Sequence, residues 1–506
     1  MESNMKWWAL IGMGLMAAVA FVDYVMVSTI LTSIQSHLMA TYTQLQWIIN
    51  IYVLTLAVFM ITMGRLGDLF GNRTLLILGM IAFGISSFFC GLAPDPQWLI
   101  VTRGCQGLAA AIIFPCSISI INQLFASHHK GKAIGVWNAI ATTGFAFGPG
   151  IAGLIVKYMG WRAIFFMNIP FTLIALIICV FTIEESCDQK QRVPMDWWGF
   201  FFMTTGTSCL ITGIIQSIHW GWTAPGTLIL FVVALITLVL WILVEMTDKH
   251  PIINMAWFAN STFAACTMST ATLACFALTF LFLTPLFLHN IQHYSFFMIG
   301  LILLPLTLPS IVFSPFVGQI VDKWGYKTPI KLGMLLLILS PFLQTFFSET
   351  SPLWHILLAF LLFGIAWALV IGPVKIGVMD ITRKNETGAA IGTLLTVEHL
   401  ASATGLAILA SIFRFKEHTS LMEGLKESGV QLSKGESLAI QSLLSHPLKI
   451  QEIFKEYGAW INEKIIPIFQ NAFLEGFSLM MWTAFFISLV TFLFTLFFLR
   501  TKKPSC

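Results

Sequence analysis

The stretch GRLGDLFGNR, Gly64–Arg73, returns 254 residues later as GQIVDKWGYK, Gly318–Lys327. In both copies a glycine, an acid, a glycine and a base hold relative positions 1, 5, 8 and 10: Gly64, Asp68, Gly71 and Arg73, then Gly318, Asp322, Gly325 and Lys327. Each copy closes one long apolar stretch and opens the next. A short charged loop repeated between hydrophobic helices, once per half, is the mark of a chain with two related membrane halves. Further matches run past the loop. Trp98 is answered by Trp354, GKAIG at 131–135 by GAAIG at 388–392, and Gly148 by Gly405, at offsets of 256 to 257 residues.

Composition agrees with a membrane chain. Of 506 residues, 57% are apolar and only 10% charged, with a mean hydropathy of +0.86. A soluble protein of this length carries roughly 25% charged residues, so a water-soluble fold is excluded. The net charge of +4 gives no footprint for nucleic acid. Nine cysteines are scattered without CxxC or His/Cys spacing, so no metal site and no disulfide framework is expected. The first apolar run, Trp8 to about Leu31, is too long for a signal core, lacks a small-residue cleavage pattern and contains Asp23; it is expected to be the first span.

A spanning helix needs about 20 mainly apolar residues. By that measure fourteen spans are expected, near 8–31, 46–66, 74–93, 98–122, 133–156, 162–183, 197–216, 226–245, 262–288, 296–320, 329–347, 353–379, 387–414 and 471–499. The repeat aligns spans 1–6 with spans 9–14 and leaves spans 7 and 8 as an inserted pair. The expected domains are therefore 1–185, a six-helix bundle, 186–260, two linking helices, and 261–506, a second bundle. Basic residues such as Arg73, Lys130, Lys132, Lys323, Lys327 and Lys331 collect in the short loops of one face, which places that face and both termini in the cytoplasm. A hydrophilic segment at about 415–470 would lie outside, with stretches such as HPLKIQEIFKEYGAWI able to lie on the membrane surface.

Several motifs carry chemistry. In LIVTRGCQGLAAA, Arg103, Gln106 and Gly107 fall inside span 4, and a buried arginine costs about 2.5–3.5 kcal/mol on insertion scales. It therefore faces a partner or a wet cavity. In span 5, TTGFAFGPGIAG supplies Gly144, Gly148, Pro149 and Gly153, small residues at helix-packing spacing around a proline that removes one helical hydrogen bond. Asp23 lies deep in FVDYVMVSTIL of span 1, where desolvation disfavours its charged form, a state suited to loading and releasing protons. Span 13 carries Glu398 and His399 in VEHLASATGLAIL. Glu398 is a second protonation site, a clamp for a cationic substrate, or a partner of Lys375 near the cytoplasmic part of span 12.

Together these motifs resemble the major facilitator superfamily. The Gly64–Arg73 loop is similar to that family's loop between spans 2 and 3, and Arg103 to its fourth-span arginine motif. The Gly144–Gly153 segment is similar to the GxxxGPxxGG motif of exporters, with Ala152 replacing one glycine. Asp23 and WRAIFFMNIP at 161–170 resemble the fourteen-span drug:proton antiporter family. The resemblance implies an all-α major facilitator fold of two pseudo-symmetric six-helix bundles plus two linking helices, and not an enzyme. It implies proton-driven efflux of small amphipathic compounds by alternating access in the inner membrane of a prokaryote. Asp23, Arg103 and Glu398 would couple protons and substrate, and the two loops would latch one conformation. The proton gradient would supply energy with no cofactor and no metal. Partners would be a lipophilic small molecule, protons and lipid, with the chain a monomer and a periplasmic adaptor protein left open. The alternatives are export of one metabolite or siderophore, and, in a different class, a membrane-embedded enzyme or a channel. An enzyme would need a catalytic constellation of paired histidines and acids, or a motif such as GxSxG or HExxH; neither motif occurs in the sequence.

Overall fold

The structure is a computed structural model that describes residues 3–40, 42–125, 129–184, 196–247, 256–294, 296–383, 386–428 and 459–499. Among these residues every regular element is a helix. The first half contains α1 (Ser3–Thr29), α2 (Leu31–Leu38), α3 (Tyr42–Phe70), α4 (Asn72–Gly91), α5 (Pro96–Leu124), α6 (Lys130–Met159) and α7 (Arg162–Thr182). Next come α8 (Trp197–Trp220) and α9 (Pro225–Thr247). The second half contains α10 (Ala256–Ala259), α11 (Ser261–Asn290), α12 (Phe296–Ile302), α13 (Leu304–Trp324), α14 (Lys327–Gln344), α15 (Leu353–Ile381), α16 (Thr387–Glu427) and α17 (Ala459–Phe498).

Each of the fourteen expected spans overlaps one of these helices. Length and apolarity qualify eleven of them among the described residues as membrane-crossing, or twelve with the bent α6. A count of fourteen is therefore not established. Helix starts follow local chemistry. Asp95 caps α5 by accepting from the Trp98 amide at 2.8 Å, with Pro96 next in line, where its missing N–H removes nothing from the helix. Asn260 caps α11 in the same way, accepting from the Thr262 amide at 2.9 Å.

Packing is symmetric. In the first half α1 lies on α6 and α7, α3 on α5, and α4 on α5 and α7. In the second half α11 lies on α15, α16 and α17, and α14 on α15 and α17. The halves meet along two seams, α6 with α13 and α3 with α16. These seams are equivalent, because α3 corresponds to α13 and α6 to α16 in the repeat. The pair α8 and α9 pack mainly on each other, with α8 touching α3 and α16. In lipid no hydrophobic force drives helices together, so close packing and small residues must hold the seams.

The glycines of the repeated loop have distinct tasks. The second one turns the chain: Gly71 has φ 105° and Gly325 φ 80°, a region where a Cβ is strained. The first one sets the seam: a Cβ on Gly64 would strike the Gly388 carbonyl, and one on Gly318 would strike the Gly131 carbonyl. In α6, a Cβ at Gly144 would strike the Ala18 carbonyl of α1. Gly153 differs from expectation: a Cβ there would meet nothing within 4 Å, so no close helix approach depends on it. The helix bends by 54° between its segments Lys130–Gly148 and Gly150–Met159, at the position of Pro149, whose nitrogen carries no hydrogen.

The expected outer loop at 415–470 is corrected in part. Helix α16 runs on to Glu427 and α17 begins at Ala459, so both edges of that segment are helical; residues 429–458 lie outside the described residues. Hydropathy marks where lipid ends, whereas the helix continues because Leu421 and Leu425 stay buried and Gly424 lies against Ile468 of α17.

Candidate functional site

Arg103 sits on the inward face of α5, where the side chain has no water to hydrate it; its exposure is 0%. Its counter-charge is Asp23 on α1, also at 0% exposure, and the two form an ion pair. The carboxylate is further held by Asn168 Nδ2 of α7 at 2.7 Å and by Gln106 Nε2 at 3.1 Å. Gln106 Oε1 in turn accepts from Arg103 at 2.8 Å, and Arg103 Nε donates to the Ile48 carbonyl of α3 at 3.3 Å. Ser87 of α4 accepts from Asn168 at 3.0 Å and from Gln106 at 3.2 Å, and donates to the Phe165 carbonyl at 2.9 Å. Four helices thus meet on one carboxylate and one guanidinium, and Ser87 ties α4 to them through Asn168 and Gln106. Dismantling a buried pair by deleting one partner costs about 3–5 kcal/mol, because the other charge is stranded.

The Tyr52 ring stands over Arg103, its centroid 4.2 Å from Cζ, and its hydroxyl donates to the Ala20 carbonyl at 3.1 Å. Tyr24 stacks on Tyr52 at 6.2 Å. Both tyrosines line a central cavity that Asp23 and Arg103 do not reach. The ion pair is therefore separated from the cavity by one aromatic layer.

That cavity lies between the halves and holds about 1210 Å³ of empty space, part of it open to solvent. Helices α1, α3, α5 and α6 form one wall, and α11, α15 and α16 the other. The lining is mostly apolar, with aromatic pairs set among aliphatic side chains: Phe145 of α6 meets Trp367 of α15 edge-on at 6.2 Å, and Phe21 meets Phe114 at 4.8 Å. The polar members are few, chiefly Asn138, Lys375, Glu398 and His399. A largely apolar cleft with a few placed polar groups is the usual form of a small-molecule site.

Glu398 and Lys375 both line this cavity but form no direct ion pair among the described residues. They act on each other electrostatically, while Lys375 Nζ donates to Asn138 Oδ1 at 2.9 Å. Lys375 therefore belongs to the cavity wall and reaches across to the opposite half. Glu398 is not part of the Asp23–Arg103 network.

One end of the molecule is closed by the repeated loops. Asp68 accepts from the first-turn amides of α16, Gly388 at 3.1 Å and Ala389 at 2.9 Å. Asp322 accepts from the first-turn amides of α6, Gly131 at 2.7 Å and Lys132 at 2.9 Å. Each acid of one half thus caps a helix of the other half, where the helix dipole favours a negative charge. Arg73 meets the opposite kind of helix end, donating to the Val180 carbonyl in the last turn of α7 at 3.1 Å. Asn122 Nδ2 adds a further tie across the halves, to Thr387 Oγ1 at 2.8 Å.

Sequence reasoning located Asp23, Arg103 and Gln106 without pairing them, and missed Asn168, Ser87, Tyr52 and Asn138. The available signal was an amide side chain inside an apolar span, as in MNIP and VWNAI, because such groups are rarely left facing lipid.

Comparison with known proteins agrees with this architecture. The sequence family described as Major Facilitator Superfamily matches residues 13–202 and 195–406. The multidrug resistance protein Stp of Mycobacterium tuberculosis is 31% identical over 404 residues, 80% of this chain and 75% of its own length. The tetracenomycin C resistance and export protein of Streptomyces glaucescens is 29% identical over 407 residues, again 80% and 75%. The crystal structure of the human organic anion transporter MFSD10 shares the fold, with a TM-score of 0.63 at 13% identity, covering 98% of this chain and 100% of that one. With the family matched across most of the chain and both halves folded in its pattern, the protein belongs to the major facilitator superfamily and is a membrane transporter, not an enzyme.

Proposed function

We propose that the protein exports small amphipathic aromatic compounds from the cytoplasm in exchange for protons, by rocking of its halves around the central cavity. The observation that carries this reading is the Asp23–Arg103 pair, fully buried yet one tyrosine layer from the cavity. A proton arriving on Asp23 removes the counter-charge of Arg103, and the guanidinium must then seek a new partner. That rearrangement pulls on α5 and on Tyr52 above it, so protonation is felt at the cavity wall. Relatives named for multidrug resistance and for tetracenomycin C export support the outward direction.

The basic residues of the loop face put both termini and the two latches in the cytoplasm. The latched conformation is then closed to the cytoplasm, in an inner membrane with the proton gradient as the sole energy source. Residues 1–185 and 261–506 are the moving units, and 186–260 the link between them.

Proton-driven uptake of a fluorescent lipophilic substrate into inside-out vesicles tests the reading. Asp23→Asn is expected to abolish gradient-driven uptake while the protein remains inserted and monodisperse. Undiminished uptake by that variant would remove Asp23 from the coupling role, and uptake indifferent to the gradient would remove proton exchange altogether.

A further inference from the structure

The cavity wall holds a group of donors that the coupling network does not use. Lys375 of α15 is 5% exposed, and across the seam Asn138 and Trp137 of α6 are 4% and 2% exposed. The Lys375 ammonium lies 4.8 Å from the Trp137 ring centroid and donates to Asn138 Oδ1 at 2.9 Å. An ammonium can only donate, so it fixes which way the amide faces. Asn138 must offer its oxygen to Lys375, and its Nδ2 is turned away without a hydrogen-bond partner. The Trp137 indole N–H is likewise buried without one. Two unfilled N–H donors beside a cation, all lining one cavity, form a site short of an acceptor. A buried donor left unfilled is costly, and an oxygen brought by a ligand relieves it.

The opposite signal stands elsewhere in the same cavity. Glu398 of α16 has its Oε2 buried with no hydrogen-bond partner, in a wall completed by His399 and Ser402. The same cavity is lined by Phe21, Phe114, Phe145 and Trp367, which suit a flat ring system.

We propose that Lys375, Asn138 and Trp137 form a subsite for an ionised oxygen, so that the transporter selects flat aromatic compounds carrying a carboxylate or phenolate together with a hydrogen-bond donor or cationic nitrogen, the latter taken by Glu398. This deepens the export reading and rests on it for the direction of transport, but not for binding. A compound with only a permanent cation satisfies Glu398 and meets Lys375 as a like charge. A compound with both groups answers both. Because Lys375 comes from the second half and the two other residues from the first, the subsite is complete only while the α6 and α15 walls face each other as they do here.

The test measures binding and transport separately, on the purified full-length protein. The probes are norfloxacin, which carries a carboxylate and a basic amine, 2-naphthoate, which has the carboxylate alone, and ethidium, a permanent cation. Lys375→Met is expected to weaken norfloxacin and 2-naphthoate binding by about tenfold or more, the loss of a charged hydrogen bond. Ethidium binding is expected to hold or strengthen. Lys375→Arg, which keeps the charge and donors, should retain norfloxacin binding and separates loss of the subsite from loss of the fold. Equal weakening of all three probes, unchanged norfloxacin binding in Lys375→Met, or an unmutated protein that binds none of the oxygen-bearing probes would each overturn the subsite. If the binding pattern holds but no probe moves under a proton gradient, the subsite stands and the export reading falls. Gradient-driven ethidium flux that is blind to Lys375 and excludes norfloxacin gives the reverse.

Discussion

Removing the charge of one latch acid should open the latched end of the molecule by an amount that can be worked from four hydrogen bonds. Asp68 holds two amides of α16 at 3.1 and 2.9 Å, and Asp322 two amides of α6 at 2.7 and 2.9 Å. Asparagine keeps the shape but leaves one acceptor oxygen, so Asp68→Asn loses one bond outright and weakens the other from charge-assisted to neutral. Those changes come to about 2 kcal/mol, and losing the charge at a helix N-terminus adds roughly 0.5–1 kcal/mol. The latched state then drops by about 2.5–3 kcal/mol, a shift of roughly 60- to 150-fold toward the unlatched one. The two latches share no residue, so Asp68→Asn with Asp322→Asn should be close to additive. Spin labels on cysteines at Phe70 and Trp324, exposed residues at the ends of α3 and α13, report the distance between the halves at that end, with accessible native cysteines replaced. A single substitution should populate a longer distance and the double substitution should make it dominant. A distance distribution unchanged in the double variant would refute the assignment of the acids as latches.

Three further outcomes follow from the packing. Asn168→Ala removes a 2.7 Å bond to Asp23 and one of the partners of Ser87, so the purified protein should lose about 1–3 kcal/mol of stability in thermal denaturation. Gly144→Ala drives a methyl into the Ala18 carbonyl, whereas Gly153→Ala enters open space; a lowered melting temperature is expected for the first and an unchanged or slightly raised one for the second. The Lys416–Glu475 pair, at 2.9 Å with both side chains well exposed, should contribute under about 1 kcal/mol, so Glu475→Gln should leave the melting temperature within error.

The repeated loop made the two-half architecture legible because it encodes local geometry. A glycine with positive φ and a glycine at a backbone crossing leave the same trace in any sequence that folds this way. Span positions were legible for the same reason, each being a property of about twenty consecutive residues. Partnership was not. Asp23, Arg103 and Asn168 are brought together from three helices, and no spacing along the chain announces that meeting. Lys375 was expected near the cytoplasmic part of span 12 as one candidate partner of Glu398. In the fold Trp137 and Asn138 of α6 cover its ammonium instead. The last turns of α16 escaped because the buried Leu421 and Leu425 stand among charged neighbours, a pattern that average hydropathy erases.

Helix α16 runs through three separate parts of the molecule. Its first turn is capped by Asp68, its middle carries Glu398 into the cavity wall, and its last turns pack against α17 beyond the apolar span. Its 41 residues make a rod of about 60 Å. A tilt of about 10° about its capped end would sweep the far end by roughly 10 Å, by the geometry of a rod that long. The counterpart helix α6 is jointed by its 54° bend and cannot pass a tilt along its length in this way. The two halves therefore differ as machines: one carries a lever and the other a hinge. A binder raised against the tip of α16 and α17 would grip the long arm of that lever, setting the opposite face of the membrane without entering the cavity.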